Sequence, residues 1–94
     1  VFIVNFDDSA IAEYLKLANE LRRVAVKVEI FSRSTKVAKQ MKIANNRNVP
    51  LVLLMGPDEM SQSQVVLKNM RTGVQTVVNR SDIVSVVSKA LGIT

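Results

Sequence analysis

The 94-residue sequence contains no cysteine, no histidine and no tryptophan, and only three glycines and two prolines. The absence of cysteine excludes disulfides and thiolate metal sites. Without histidine, nucleophilic dyads, general-base pairs and transition-metal sites lose their commonest member. The glycines are scattered, so there is no Gly-rich phosphate loop. The turn after the first apolar run, Asn5-Phe6-Asp7-Asp8-Ser9, has none and carries two carboxylates that would repel a pyrophosphate. The four aromatic residues, Phe2, Phe6, Tyr14 and Phe31, fall mostly at core positions, which leaves no stacking platform of the RRM or OB type. Long apolar runs are also missing. The longest strictly apolar one, Leu51–Met55, is far short of the ~20 residues that span a bilayer, and no membrane contact is expected.

What is present is charge of one sign gathered in one place. Residues 31–50 carry Arg33, Lys36, Lys39, Lys42 and Arg47 and no Asp or Glu, whereas residues 1–30 hold four basic and five acidic side chains and residues 51–94 four and three. The net charge of +5 is therefore a local feature, and it points to a polyanionic partner.

Apolar patterning divides the chain into a single domain over residues 1–94, with no internal repeat, linker or low-complexity tract. Val1–Phe6 reads as a buried strand. Asp7, Asp8 and Ser9 supply caps for a helix over Ala10–Arg23, whose apolar stripe is Ala10, Ile11, Tyr14, Leu15, Ala18 and Leu21. Val26–Phe31 alternates as a second strand, and a second helix runs from Lys36 to Arg47, stopped by Asn48 and Pro50. Leu51–Met55 is a central strand, Pro57–Gln62 one helical turn, and Gln64–Lys68 and Val74–Asn79 a hairpin whose connection ends at Gly73. Ser81 caps a last helix over Asp82–Leu91. The order βαβαβ then ββα predicts a three-layer α/β domain, with a mixed five-stranded sheet flanked by three helices.

At ~100° per residue, Lys36, Lys39, Lys42 and Arg47 fall on the outer face of the second helix with Gln40, Ile43 and Asn46, and Val37, Ala38, Met41 and Ala44 fall on the core face. A solvated helix face is one reading and phosphate binding is the other. The first ordinarily mixes signs, and this face has no acid. Asp7 and Asp8 read as capping groups rather than a catalytic dyad. Asp58 and Glu59 follow the third strand, at the carboxyl edge where α/β domains bind ligands, and the turn Ser32-Arg33-Ser34 lies at the same edge. A carboxylate there can accept a hydrogen bond from a base amino group.

The run Arg33-Ser34-x-Lys36-x-x-Lys39-Gln40-Met41-Lys42-x-Ala44, with Val49-Pro50-Leu51-Val52 and Gly56-x-x-Glu59 after it, resembles the C-terminal anticodon-binding domain of class II aminoacyl-tRNA synthetases, most closely the histidyl enzymes. Val65-Val66-Leu67-Lys68 and Thr72-Gly73-x-Gln75 are similar to later segments, and the likeness covers essentially the whole chain. The resemblance implies a domain that grips the anticodon stem-loop of tRNA. It assigns base reading to Arg33, Ser34, Glu59 and Lys68, and phosphate contacts to Lys36, Lys39, Gln40, Lys42 and Arg47. Aminoacylation, with its ATP and Mg, would belong to a separate catalytic part of a dimeric parent working in the cytoplasm or an organelle; the domain itself would be non-catalytic and need no cofactor. The start at Val1, without an initiator methionine, fits a C-terminal fragment of a longer chain.

The departures are four: Ala25, Ser32, Asn48 and Ser63 stand where the family usually has glycine. A left-handed Ala25 would cost about 1 kcal/mol, which predicts a locally different turn there. Such drift also suits an alternative, a regulatory RNA- or protein-binding module of a non-catalytic synthetase-like protein such as the starvation-sensing kinase. A free-standing small enzyme is least supported, for want of any catalytic constellation.

Overall fold

The chain runs through β1 (Phe2–Ile3), α1 (Ile11–Arg22), β2 (Glu29–Ile30), α2 (Val37–Asn46), β3 (Leu51–Leu54), α3 (Pro57–Ser61), β4 (Gln64–Asn69), β5 (Gln75–Asn79) and α4 (Ile83–Ala90) in the computed structural model, which describes residues 1–31 and 35–92. The strands form one sheet in the order β2-β1-β3-β4-β5. β1 pairs parallel to both β2 and β3, and β3, β4 and β5 form an antiparallel meander. This is the expected mixed five-stranded architecture, with α3 as the expected short turn.

The first strand is shorter than its apolar run. Val4 N–H still donates to Leu53 O at 3.0 Å, but at Asn5 both backbone groups turn to a glutamine side chain instead of a neighbouring strand. α1 buries Tyr14, Leu17, Ala18 and Leu21, an i, i+3, i+4, i+7 stripe. Leu17 takes the place expected for Leu15, which is 45% exposed.

Two apolar clusters lie on opposite faces of the sheet. On one, α1 and α4 pack Tyr14, Leu17, Leu21, Ile83 and Val87 against Ile3, Leu51, Leu53, Val65, Leu67 and Val78. On the other, α2 packs Ala44, Val37 and Met41 against Phe2, Val4 and Val52. A helix is ~10 Å across and strands are ~4.8 Å apart, so one helix covers about two strands. α2 is the only helix on its face among the described residues, and the β4–β5 half of that face stays open.

Ala25 adopts φ +66°, so the turn after α1 is left-handed despite its Cβ, contrary to the local rearrangement expected there. Asn48 (φ +56°) and Ser63 (φ +53°) do the same. Ser32 lies outside the described residues.

Candidate nucleic-acid interface

The loop after β1 leads to α1 on one face, and the segment after β2 leads to α2 on the other. The carboxyl edge of the parallel strands is therefore a switch point, where α/β domains place ligands. Two side chains brace this edge from opposite sides. From α1, the buried Tyr14 hydroxyl donates to Met55 O at 3.2 Å and accepts from Phe6 N–H at 3.3 Å. Burial pushes this phenol up from its ordinary pKa.

From α2, Gln40 reaches into the core. Its Oε1 accepts from Asn5 N–H at 2.8 Å, and its Nε2 donates to Asn5 O at 2.7 Å and Thr35 O at 3.1 Å. The side-chain amide thus takes the place of a strand neighbour for Asn5. Gln40 was assigned to the outer, phosphate-binding face; it is 0% exposed, with its amide spent on backbone, and no phosphate can reach it. At ~100° per residue Gln40 falls about 90° from the centre of the expected core face, and that boundary position was settled by the two open backbone groups of Asn5. Ala38 went the other way and is exposed, and Ile43 is half-buried.

Asn5 Nδ2 donates to Asp8 Oδ1 at 3.0 Å and Phe31 O at 3.1 Å, fixing the chain on both sides of the crevice. Asp7 Oδ1 accepts from Ser9 N–H at 3.0 Å as a cap, and that bond holds its carboxyl below the usual range. Among the described residues no group of three or more His, Cys, Asp or Glu could hold a metal ion.

Lys36, Lys39 and Lys42 are exposed along α2, as expected. Arg47 is exposed as well, but it forms an ion pair with Glu29 of β2. The stretch is free of acid in sequence and not in space. The pair fixes the helix's orientation: Arg47 marks the side facing β2. Asn45, ~160° away around the helix, lines a small cavity with Met70 and Arg71 of the β4–β5 connection. Ala38 and Lys42 sit nearer that second side. They flank the open half of the sheet.

Glu59 lies in the first turn of α3, where its Oε1 accepts from Gly56 N–H at 3.0 Å, the acid's half of a capping box. Gly56 eases this approach, since a Cβ there would stand 3.2 Å from Glu59 Oε1, close enough that the carboxylate would have to shift by a few tenths of an ångström. Glu59 thus has a structural duty, with its second carboxylate oxygen still available. Lys68 sits on the α2 side of β4, opposite Val52 of β3 and Gln75 of β5. Arg33 and Ser34 lie outside the described residues. Lys36 and Glu59 stand at the carboxyl edge, Lys68 two residues in from it, and Arg47 about 15 Å away along α2.

A family model described as an anticodon binding domain matches residues 1–90. The chain belongs to the anticodon-binding domain family. Among its relatives, the histidine–tRNA ligase of Phocaeicola vulgatus is 36% identical over 87 residues, covering 93% of this chain and 19% of that protein. The histidine–tRNA ligase of Porphyromonas gingivalis is 39% identical over 75 residues, covering 80% of this chain and 16% of that one. The solved histidyl-tRNA synthetase of Nostoc sp. PCC 7120 superposes with a TM-score of 0.91 at 24% identity, over 96% of this chain and 22% of that chain. The S. aureus enzyme, solved without ligand, gives 0.80 at 28%, over 89% and 25%. This anticodon-binding domain chain thus spans about a fifth of the length of the relatives it matches.

Two features of the domain escaped the sequence reading. The Gln40 clasp left no signal beyond a polar residue at the edge of an apolar stripe. The second was legible: from Met60 to Ser81 the sequence has no acid either, while carrying Lys68, Arg71 and Arg80. The fold sets this second acid-free stretch beside the first.

Proposed function

We propose that this chain is the anticodon stem-loop-binding module of a histidine–tRNA ligase, holding tRNA while a catalytic part outside the chain carries out aminoacylation with ATP and Mg. What supports the reading is one arrangement: three exposed lysines, Lys36 at the start of α2 and Lys39 and Lys42 on it, with no acid on that helix, run to the edge where Glu59 sits. Lys36, Lys39 and Lys42 take backbone phosphates and set the register, with Arg47 joining when it leaves Glu29. Arg33, Ser34, Glu59 and Lys68 take base edges, which an RNA loop presents because its bases are unstacked. The relatives bear the name of the ligase, and the parent chain is read as a homodimer of the cytoplasm or an organelle. No helix among the described residues is long and apolar enough to cross a membrane.

The test is binding of stem-loops with different anticodons across a salt series. Affinity should fall steeply with salt, and Lys39→Ala should lower the log–log slope by about one unit. Equal binding of every anticodon, or no binding at about 50 mM salt, would sink the proposal.

A further inference from the structure

The two edges of the sheet are built differently. At β2, Glu29 and Phe31 give their N–H groups to β1, so Val28 and Ile30 turn their backbone groups outward. Arg22 of α1 covers that side, its Nη2 donating to Val28 O at 2.8 Å. The strand is two residues long, and Glu29 and Arg47 set an ion pair beside it. Short length, charge and a covering side chain keep an edge from pairing with another chain.

β5 has none of these guards. Asn69 N–H donates to Val74 O and Arg80 N–H to Ser63 O, and the alternation of an antiparallel ladder between those points turns the backbone groups of Thr76 and Val78 towards β4. Gln75, Val77 and Asn79 therefore point theirs away from the sheet. The 3-10 turn Arg80–Asp82 takes up the C=O of Asn79. The N–H and C=O of Gln75 and Val77 and the N–H of Asn79 have no partner among the described residues. From Thr72 to Asn79 there is no charged residue and no proline. Val74 and Val77 are 59% and 60% exposed, which gives the fold little and a neighbouring strand much.

The strand matches itself. Set antiparallel to a copy about a two-fold axis at Val77, it places Val77 opposite Val77, Gln75 opposite Asn79 and Thr76 opposite Val78. Val77 then exchanges a pair of hydrogen bonds with its counterpart, and each Asn79 N–H donates to the Gln75 C=O of the other copy. β-Branched side chains and amides meet their own kind across the axis. Arg80, which borders the strand, is held by Glu20 through two bonds and brings no unpaired cation there. A charged peptide would find no counter-charge along this edge, and RNA has no row of alternating N–H and C=O groups to offer it.

We propose that β5 is a dimerisation edge, at which two copies of this chain join antiparallel about Val77 and run their five-stranded sheets into one. A single strand edge buries less than the ~1,200 Å² of a stable complex, so the dimer is of the transient class. Each copy carries +5, and screening this repulsion makes salt strengthen the dimer. The inference stands apart from the RNA-binding reading, whose affinity salt must weaken.

The test is sedimentation equilibrium of the unaltered chain across a concentration series, repeated with Val77→Lys and Val77→Asp. The unaltered chain should form a dimer, more tightly at higher salt. Each variant sets like charges across the axis and should associate about tenfold more weakly, whereas an equimolar mixture of the two should recover the dimer. Recovery also shows that both variants fold. Amide exchange of the unaltered chain gives a second readout: with rising concentration the N–H groups of Val77 and Asn79 should slow, and those of Val28 and Ile30 should not. A chain that stays monomeric up to about 1 mM, with those amides unslowed, overturns the proposal. So does a dimer that Val77→Lys leaves as tight as before, because the copies then meet elsewhere. If the Val77 and Asn79 amides slow only when stem-loop RNA is added, the edge serves RNA, and the dimer is wrong while the RNA-binding reading stands.

Discussion

Replacing Gln40 with leucine should cost this domain a large part of its stability while leaving its electrostatic grip on RNA untouched. The substitution keeps the volume and removes three hydrogen bonds, at 2.8 and 2.7 Å to Asn5 backbone and 3.1 Å to Thr35 O. Asn5 is fully buried, so its N–H and C=O both lose their partners with no water at hand. Each unsatisfied group costs about 1–3 kcal/mol. The leucine returns roughly 1–2 kcal/mol through added apolar burial. The net loss is about 2–3 kcal/mol, against a total of about 5–14 kcal/mol for a domain of this size. With a urea slope of about 1 kcal/mol/M, the unfolding midpoint followed by circular dichroism should drop by about 2 M. The salt slope of RNA binding, measured where the variant is folded, should not change. A midpoint within about 0.5 M of the parent would refute the clasp, and a lowered salt slope would restore Gln40 to the phosphate face.

Ala25→Gly and Ser63→Gly should each stabilise the domain by about 0.5–1 kcal/mol, because both residues hold a left-handed backbone that glycine adopts freely. The two turns are far apart in the chain and their gains should add. Melting temperatures should rise by about 2–8 °C per substitution, and an unchanged or lower value would show that the Cβ is tolerated without strain. Glu20 provides the pH test. Its carboxylate accepts from Arg80 Nη1 at 3.0 Å and Nη2 at 2.6 Å, and these bonds hold its pKa below the usual carboxylate value. In acid the unfolded chain binds this proton first. The stabilisation is therefore full above the ordinary glutamate pKa and lost as pH falls through the lowered one. Arg80→Gln should flatten stability against pH in that window. If the acid limb keeps its steepness, the pair is not its source.

The sheet and its helices were legible because the apolar periods are clean and the caps and stops fall where the elements end. Asn48 and Gly92 close α2 and α4 with left-handed residues, as their positions suggested. Element lengths were less legible. Val1–Phe6 is apolar except for Asn5, yet only Phe2–Ile3 is a strand, since ladder length depends on partners that composition does not reveal. The site was legible in charge and not in contacts. Lysines announce themselves by sign and spacing, whereas the ion pair of Arg47 with Glu29 needs the register of β1 on β2 to bring residues 18 apart together. Gln40 shows the limit most sharply. An amide at the edge of a helical stripe can face either way, and the choice was made by the unpaired backbone of a strand 35 residues earlier.

The position of β1 has a consequence for how the domain comes into being. The strand begins at the second residue, yet it lies between β2 and β3 and pairs with both. On a ribosome, which releases the chain from its beginning, Phe2 and Ile3 emerge about fifty residues before Val52 and Leu53, their partners on one side. Until then, one side of the strand has no neighbour. Of this domain's five strands, the first to emerge must be kept from wrong partners the longest, and the meander of β3, β4 and β5, whose pairings are short in sequence, is the template it waits for.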